Sequence, residues 1–378
     1  TQSIMTRRNN IQYGEARVVG RAFRWAQRTA YLQVDATSYC NAKCVSCVRN
    51  HMGGDPIPHL KFTHLDLDLW KRVMTEDTKT IKLTKINFNG VWGDAIMHPQ
   101  ITEICQSITD NHPETNIKID TNGSIRNPAW WTEFAKVLAN AYSYKVEFAM
   151  DGLEDTHHLY RRNTSFKKIC ENIKAFTDAG GNADIVTTVF DHNIDQLDEI
   201  SALAEKLGAT RHFMRPSFDR NNKSLNVHDR SYQIKHTKSK NFGAKFVYFK
   251  EDTDRNIALK GKAAMVSPCK WYQDKRVQID PWGTVWPCCW TAKGAPQARP
   301  RANDMLPGFD VNANNLHGHN LLEILSNSWY SRSLYSIIEK EHSEICNRHC
   351  VHNNKYSNHT SRRTSDHRKY DKTSQNNQ

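Results

Sequence analysis

The sequence predicts an α/β fold, a partial barrel or an open α/β sheet followed by a smaller unit. Two observations carry this. Between residues 30 and 216, six short β-rich runs alternate with five amphipathic helical stretches, and from 217 that rhythm stops. Strands separated by helices pair in parallel, because a parallel connection needs a crossover of that length. Six such units fall short of the eight that close a full barrel.

The strands are expected at 31–37, 85–90, 116–123, 144–152, 183–190 and 210–216. Helical periodicity falls between them at 66–75, 99–110, 128–142, 166–180 and 195–208. Gly180 and Gly181 close one helix and Gly208 another, as glycine does where a helix must stop. Residues 217–266 are polar and rich in Lys and Asn, an insertion or linker. Beyond them, 275–290 has the pattern of a β-hairpin turning at Pro281, Trp282 and Gly283, and 320–340 that of a helix. The expected division is an N-terminal extension 1–29, a main unit 30–216, the insertion 217–266, a second unit 267–354 and a polar tail 355–378. The tail is poor in aromatics and is expected to be disordered.

At 378 residues with 38% hydrophobic and 24% charged residues, the chain can build a sizeable core, which excludes global disorder. No apolar run approaches the roughly 20 residues of a spanning helix. The first residues lack the apolar core of a secretory signal. A soluble, cytoplasmic protein is expected. The net charge is +12; residues 217–262 hold eleven Lys/Arg against five Asp/Glu, and 355–378 hold six against two. Those segments therefore carry +6 and +4 of the total. Such charge permits an acidic partner, nucleic acid included, yet no interleaved aromatic and basic stripe points to one.

Ten cysteines without a secretory signal argue against a disulfide framework. Cys105 and Cys170 stand alone in helical segments, where a buried thiol is the ordinary expectation. The others form two groups. Cys40, Cys44 and Cys47 make a Cys-x3-Cys-x2-Cys run directly after the first strand. Three thiolates so close can wrap one corner of an iron–sulfur cluster, whereas structural zinc takes four ligands. Three ligands leave one iron of a cubane open, as catalysis requires, and loops at the C-terminal ends of parallel strands are where barrel enzymes place their chemistry.

This loop resembles that of the radical S-adenosylmethionine (radical SAM) superfamily, and the resemblance extends over about 30–216. It implies a partial (β/α)6 TIM-like barrel, a 4Fe–4S cluster on Cys40, Cys44 and Cys47, and SAM bound at its open iron. Gly93, Asp94 and Ala95 are similar to the family's Gly-Glu-Pro after strand two, whose acid holds the SAM amino group; Asp94 is one methylene shorter. Asn122, in the run 120–123, resembles the strand-three ending, and Asp151 the polar residue of the strand-four ending near the ribose. Arg161 or Arg162 resembles the arginine that often follows. Ser46 departs from the pattern, since an aromatic residue usually precedes the third cysteine.

The second group is Cys269, Cys288, Cys346 and Cys350, with Cys289 as an alternative for the second ligand and His349 for the third. By itself this set suits a zinc site. Its spacing, and the Asn-rich stretch 314–329, resemble the SPASM/twitch extension of radical SAM enzymes, which implies a second, auxiliary 4Fe–4S cluster with all four irons ligated.

The resemblance implies reductive cleavage of SAM to a 5′-deoxyadenosyl radical that abstracts a substrate hydrogen, with the auxiliary cluster able to accept an electron. It also implies a reductant such as flavodoxin or ferredoxin. The expected substrate is a peptide or protein that is oxidised or cross-linked. Oxidation or rearrangement of a small molecule is the alternative, and an iron–sulfur or zinc binding protein without SAM chemistry is the reading of another class. Residues 1–29 are too few for a separate peptide-recognition domain, while 217–262 and the tail could hold an extended acidic partner.

Overall fold

The computed structural model describes residues 31–217, 224–236, 244–250, 269–297, 306–338, 345–346 and 350. The extension 1–29, the tail 355–378 and His349 lie outside them. Six parallel strands form as expected: β1 Tyr31–Val34, β2 Lys85–Phe88, β3 Asn116–Thr121, β4 Ser143–Ala149, β5 Ala183–Val189 and β6 Arg211–Pro216. Each pairs with the next in register, Leu32 opposite Ile86 and Ile86 opposite Ile117. Side chains alternate between two faces. Ile117 and Ile119 are buried on one, while Lys118 and Asp120 occupy the other, where Lys118 Nζ lies 2.8 Å from Glu147.

Helices α1 Leu67–Arg72, α2 Ile101–Asn111, α3 Pro128–Leu138, α4 Phe166–Asp178 and α5 Leu197–Lys206 cover the apolar face. Local chemistry starts several of them. Asp66 accepts from Leu69 N at 2.8 Å, and Asn127 accepts from Trp130 N at 2.9 Å before a proline at the first helical position. Trp131 and Phe148 each pack edge to face with Phe176 and lie tilted against one another where α3 and α4 meet β4.

Three features differ from the sequence pattern. The hairpin does not stand apart: β8 Arg276–Ile279 pairs in parallel with β1, and β9 Val285–Trp286 turns back on it, so the hairpin extends the sheet. An end strand with a buried edge needs a partner, and β8 supplies one with Val277 and Ile279 fully buried. Within 217–266, β7 Lys245–Tyr248 caps the other edge antiparallel to β6, completing the order β7-β6-β5-β4-β3-β2-β1-β8-β9. The short antiparallel pair Leu225–Asn226 and Gln233–Ile234 packs Val227 and Ile234 onto Val45 and Phe190. Finally, the expected helix 320–340 breaks. It begins as α7 Leu321–Ser326, and Asn327 then turns extended, its side chain accepting from Tyr330 N at 3.0 Å and donating to Asn314 at 2.9 Å.

Candidate active site

The loop after β1 is held from three sides. Cys44 pairs backbone to backbone with Arg161, in the short antiparallel pair of Lys43–Cys44 with Arg161–Arg162. Cys47 N donates to Cys44 O at 3.0 Å, and Asn50 Nδ2 reaches the same carbonyl at 3.2 Å. Arg49, buried, donates twice to Ser38 O. Ahead of the cysteines, Tyr39 O accepts from Asp94 N at 2.9 Å. A Cβ on Gly93 would stand 2.1 Å from Thr37 O and 2.7 Å from Tyr39 O, so only glycine lets these loops meet.

The three thiols share one electrostatic neighbourhood. Burial pushes Cys40 up, and Asp94, Cys44 and Cys47 add to the shift while Arg49 opposes it. Burial also pushes Cys44 up, to about 11, against the pull of Arg161.

Asp94 and Asp151 are buried and committed within the fold. Asp94 Oδ1 accepts from Ile96 N at 3.1 Å, capping a short turn. Its Oδ2 accepts from Thr121 Oγ1 at 3.0 Å and from Asn122 N and Nδ2 at 2.8 Å each. Burial raises the Asp94 carboxyl, and the backbone donors Asn122 and Ile96 hold it down. Asn122 Nδ2 in turn stands 3.7 Å from Cys40 Sγ. Asp151 Oδ1 accepts from Thr188 N and Oδ2 from Arg161 Nε, both at 2.6 Å. Arg161 Nη1 lies 3.5 Å from Cys44 Sγ. Arg162 points elsewhere, toward Tyr232 and Asp229.

Sequence patterns give no hint of the contact between Ser46 Oγ and Tyr160 Oη, 2.7 Å apart but 114 positions distant in the chain. Tyr160 also accepts from Val45 N through its carbonyl.

The second group also converges. Burial pushes Cys269 up to about 12, and Cys288, Cys350 and Cys346 all add to the shift. Burial likewise raises Cys288, which sits at the N-cap of α6 Cys289–Ala292 and feels Cys346. Cys350 N donates to Cys346 O at 2.8 Å. Cys289, raised to about 12 by burial, interacts with Cys288, Lys293, Asp35 and Arg276. The hairpin before it is set by Asp280, which accepts from Trp282 N, Thr284 N and Trp286 Nε1.

Comparison with known proteins bears on the segment that carries the first of these groups. Residues 34–204 match the family model of the radical SAM superfamily. The chain carries a radical SAM domain. It is 28% identical over 187 residues to the mycofactocin maturase MftC of Mycobacterium ulcerans, a match covering 48% of this chain and 47% of that protein. It is 24% identical over 174 residues to the sporulation killing factor maturation protein SkfB of Bacillus subtilis, covering 46% and 39%. The matched region thus spans about half the length of these curated relatives or less. In three dimensions, Streptococcus suis SuiB bound to S-adenosylmethionine superposes with a TM-score of 0.54 at 11% identity, covering 82% of this chain and 68% of that one, a likeness of fold.

A radical SAM domain implies a 4Fe–4S cluster and SAM, and the donor set of the loop fits such a cluster. Cys40, Cys44 and Cys47 are free thiols. Burial opposes ionisation of Cys40 and Cys44, so their thiolates need cationic charge close by, which iron supplies. Among the described residues no group of three His, Cys, Asp or Glu side chains is gathered as the ligands of one metal ion would be. A cubane takes its thiolates on separate irons. No described helix is long and apolar enough to cross a membrane.

Proposed function

We propose that this chain is a radical SAM enzyme that modifies a peptide or protein, oxidising or cross-linking it. The observation that carries the reading is the convergence of Cys40, Cys44 and Cys47 at the C-terminal end of the parallel sheet, against Asn122 and Arg161. When bound, the cluster and SAM together supply a hydrogen-abstracting radical. The protein's part is to hold and orient them and to exclude water. Cys40, Cys44 and Cys47 would hold the cluster. Gly93, Asp94, Asn122, Asp151 and Arg161 would border SAM. With both carboxylates spent on the fold, Asn122 and Arg161 are, among the described residues, polar side chains that reach the thiols.

Cys269, Cys288, Cys346 and Cys350 would hold a second, fully ligated cluster, the twitch arrangement, suited to take the electron from a substrate radical and so complete its oxidation. Peptide substrates are supported by relatives: MftC and SkfB are named for maturation, and a SuiB structure contains its precursor peptide SuiA. An external reductant of the flavodoxin or ferredoxin kind would feed the first cluster.

Anaerobic reconstitution tests this. Two cubanes amount to about eight irons per chain. Replacing Cys40, Cys44 and Cys47 together by Ala should halve the iron and abolish formation of 5′-deoxyadenosine. Undiminished SAM cleavage by the triple variant would overturn the assignment.

A further inference from the structure

The loop is served twice by the same three-part arrangement, a buried carboxylate, a donor and a sulfur. In the first, Asp94 Oδ2 takes both nitrogens of Asn122 at 2.8 Å, and Asn122 Nδ2 stands 3.7 Å from Cys40 Sγ. In the second, Asp151 Oδ2 takes Arg161 Nε at 2.6 Å, and Arg161 Nη1 stands 3.5 Å from Cys44 Sγ. The carboxylates come from separate strand ends, after β2 and after β4, and are 4% and 0% exposed.

We propose that Asn122 and Arg161 donate hydrogen bonds to cluster sulfurs and so raise the reduction potential of the cluster on this loop. The inference rests on the cluster reading above and goes beyond it, giving these two side chains a role that does not require SAM.

Reduction adds negative charge to a cluster and its sulfurs, and a donor or cation aimed at sulfur stabilises the reduced state more than the oxidised one. Outer partners of this kind tune a metal site when their own orientation is fixed. Both donors are fixed here. Asn122 is held through its backbone and one Nδ2 hydrogen by a single oxygen of Asp94, and its second Nδ2 hydrogen is shared between Asn41 Oδ1 at 2.9 Å and Cys40 Sγ at 3.7 Å. Arg161 spends Nε on Asp151 and keeps its outer edge for Cys44, while the backbone pairing of Cys44 with Arg161 holds the two residues side by side. The ion pair therefore presents its positive end to the sulfur. Arg161 is charged and Asn122 neutral, so Arg161 has the larger effect.

The test is a potentiometric titration of the reconstituted full chain followed by low-temperature electron paramagnetic resonance. The cluster with the open iron is identified as the one whose signal changes when SAM is added, and the titration itself is run without SAM. Arg161→Met should lower the midpoint of that cluster and leave the other cluster unmoved. Asn122→Leu should lower it by less. An unmoved midpoint in both variants, with weaker SAM binding, would make these residues SAM contacts and overturn the proposal. Loss of iron from both, with the remaining cluster titrating as in the wild type, would reduce them to supports of the loop and overturn it equally. A wild-type chain that takes up no cluster would instead remove the reading beneath.

Discussion

Trp92 Nε1 donates to the carbonyl oxygen of Ala292 at 3.0 Å. Trp92 precedes Gly93 in the loop that meets the first cysteines, and Ala292 ends the helix that begins at Cys289. The indole is fully buried and lies 5.8 Å from the Trp282 ring, nearly edge on. A second strut runs beside it. Asp35, at the end of β1, accepts from Val91 N at 2.8 Å and from Gln278 Nε2 of the hairpin at 2.9 Å. The two cysteine groups therefore sit on one frame.

Trp92→Phe keeps a buried ring and removes the donor. Leaving the Ala292 carbonyl without it should cost about 1–3 kcal/mol of stability. The expected outcome is a lower denaturation midpoint and weaker retention of iron by the second group, while the SAM-responsive cluster stays. Loss confined to the SAM-responsive cluster would contradict the strut.

Asp94→Asn preserves shape but places an amide donor where donors already converge. Its effect should pass through the aim of Asn122. A hydrogen bond to a charged group is worth about 1.5–3 kcal/mol, so SAM affinity should fall on the order of tenfold or more. Iron content should not change. Equilibrium binding of SAM to the reconstituted variant measures this, and unaltered affinity would leave Asp94 a scaffold residue alone.

The barrel strands are legible in the sequence because each is short, β-rich and followed by a helix whose period and caps are local properties. The cysteine loop is legible because spacing alone constrains three thiols. What escapes is long-range. Nothing local says that Arg276–Ile279 will pair with Tyr31–Val34, since pairing is decided by which strand edge is left open. The break at Asn327 is hidden because apolar residues continue through it, Ile324 and Leu325 before and Trp329 and Tyr330 after. The polar stretch 224–236 anchors on little more than Val227 and Ile234, too few to mark it as packed. Asp94 and Asp151 stand out in the sequence as acids, but only the structure shows that each is occupied by a donor directed at sulfur.

His157 links the site to pH. Its Nδ1 accepts from Asp151 N at 3.2 Å, which needs the neutral ring. Burial lowers its pKa from 6.5 to about 4, with Asp151 opposing. The unfolded chain takes up this proton below about 6.5 and the folded one does not, so the contribution is intact above that pH and is lost as pH falls toward 4. The displacement is worth on the order of 3 kcal/mol. Chemical denaturation at pH 7 and pH 5 should show this loss, and His157→Gln should flatten the difference. Equal slopes in variant and wild type would assign the pH dependence elsewhere.

Cys288 and Cys289 differ in what surrounds them, and a cluster differs from zinc in redox behaviour. Cys269 feels Cys288, Cys350 and Cys346, whereas the interactions of Cys289 run to Cys288, Lys293, Asp35 and Arg276. Cys288→Ala should therefore strip the second group of its metal, and Cys289→Ala should keep it. Thiolates suit iron–sulfur and tetrahedral zinc alike, so ligand identity does not distinguish them. Redox behaviour does, because zinc does not change oxidation state. With Cys40, Cys44 and Cys47 replaced by Ala, dithionite should still produce a low-temperature paramagnetic signal. It should vanish on Cys269→Ala, Cys288→Ala or Cys350→Ala and persist on Cys289→Ala. Stoichiometric zinc without a signal would make this region a structural clip and would remove the electron acceptor from the proposed reaction. A signal lost with Cys289→Ala but kept with Cys288→Ala would preserve the cluster and exchange one ligand.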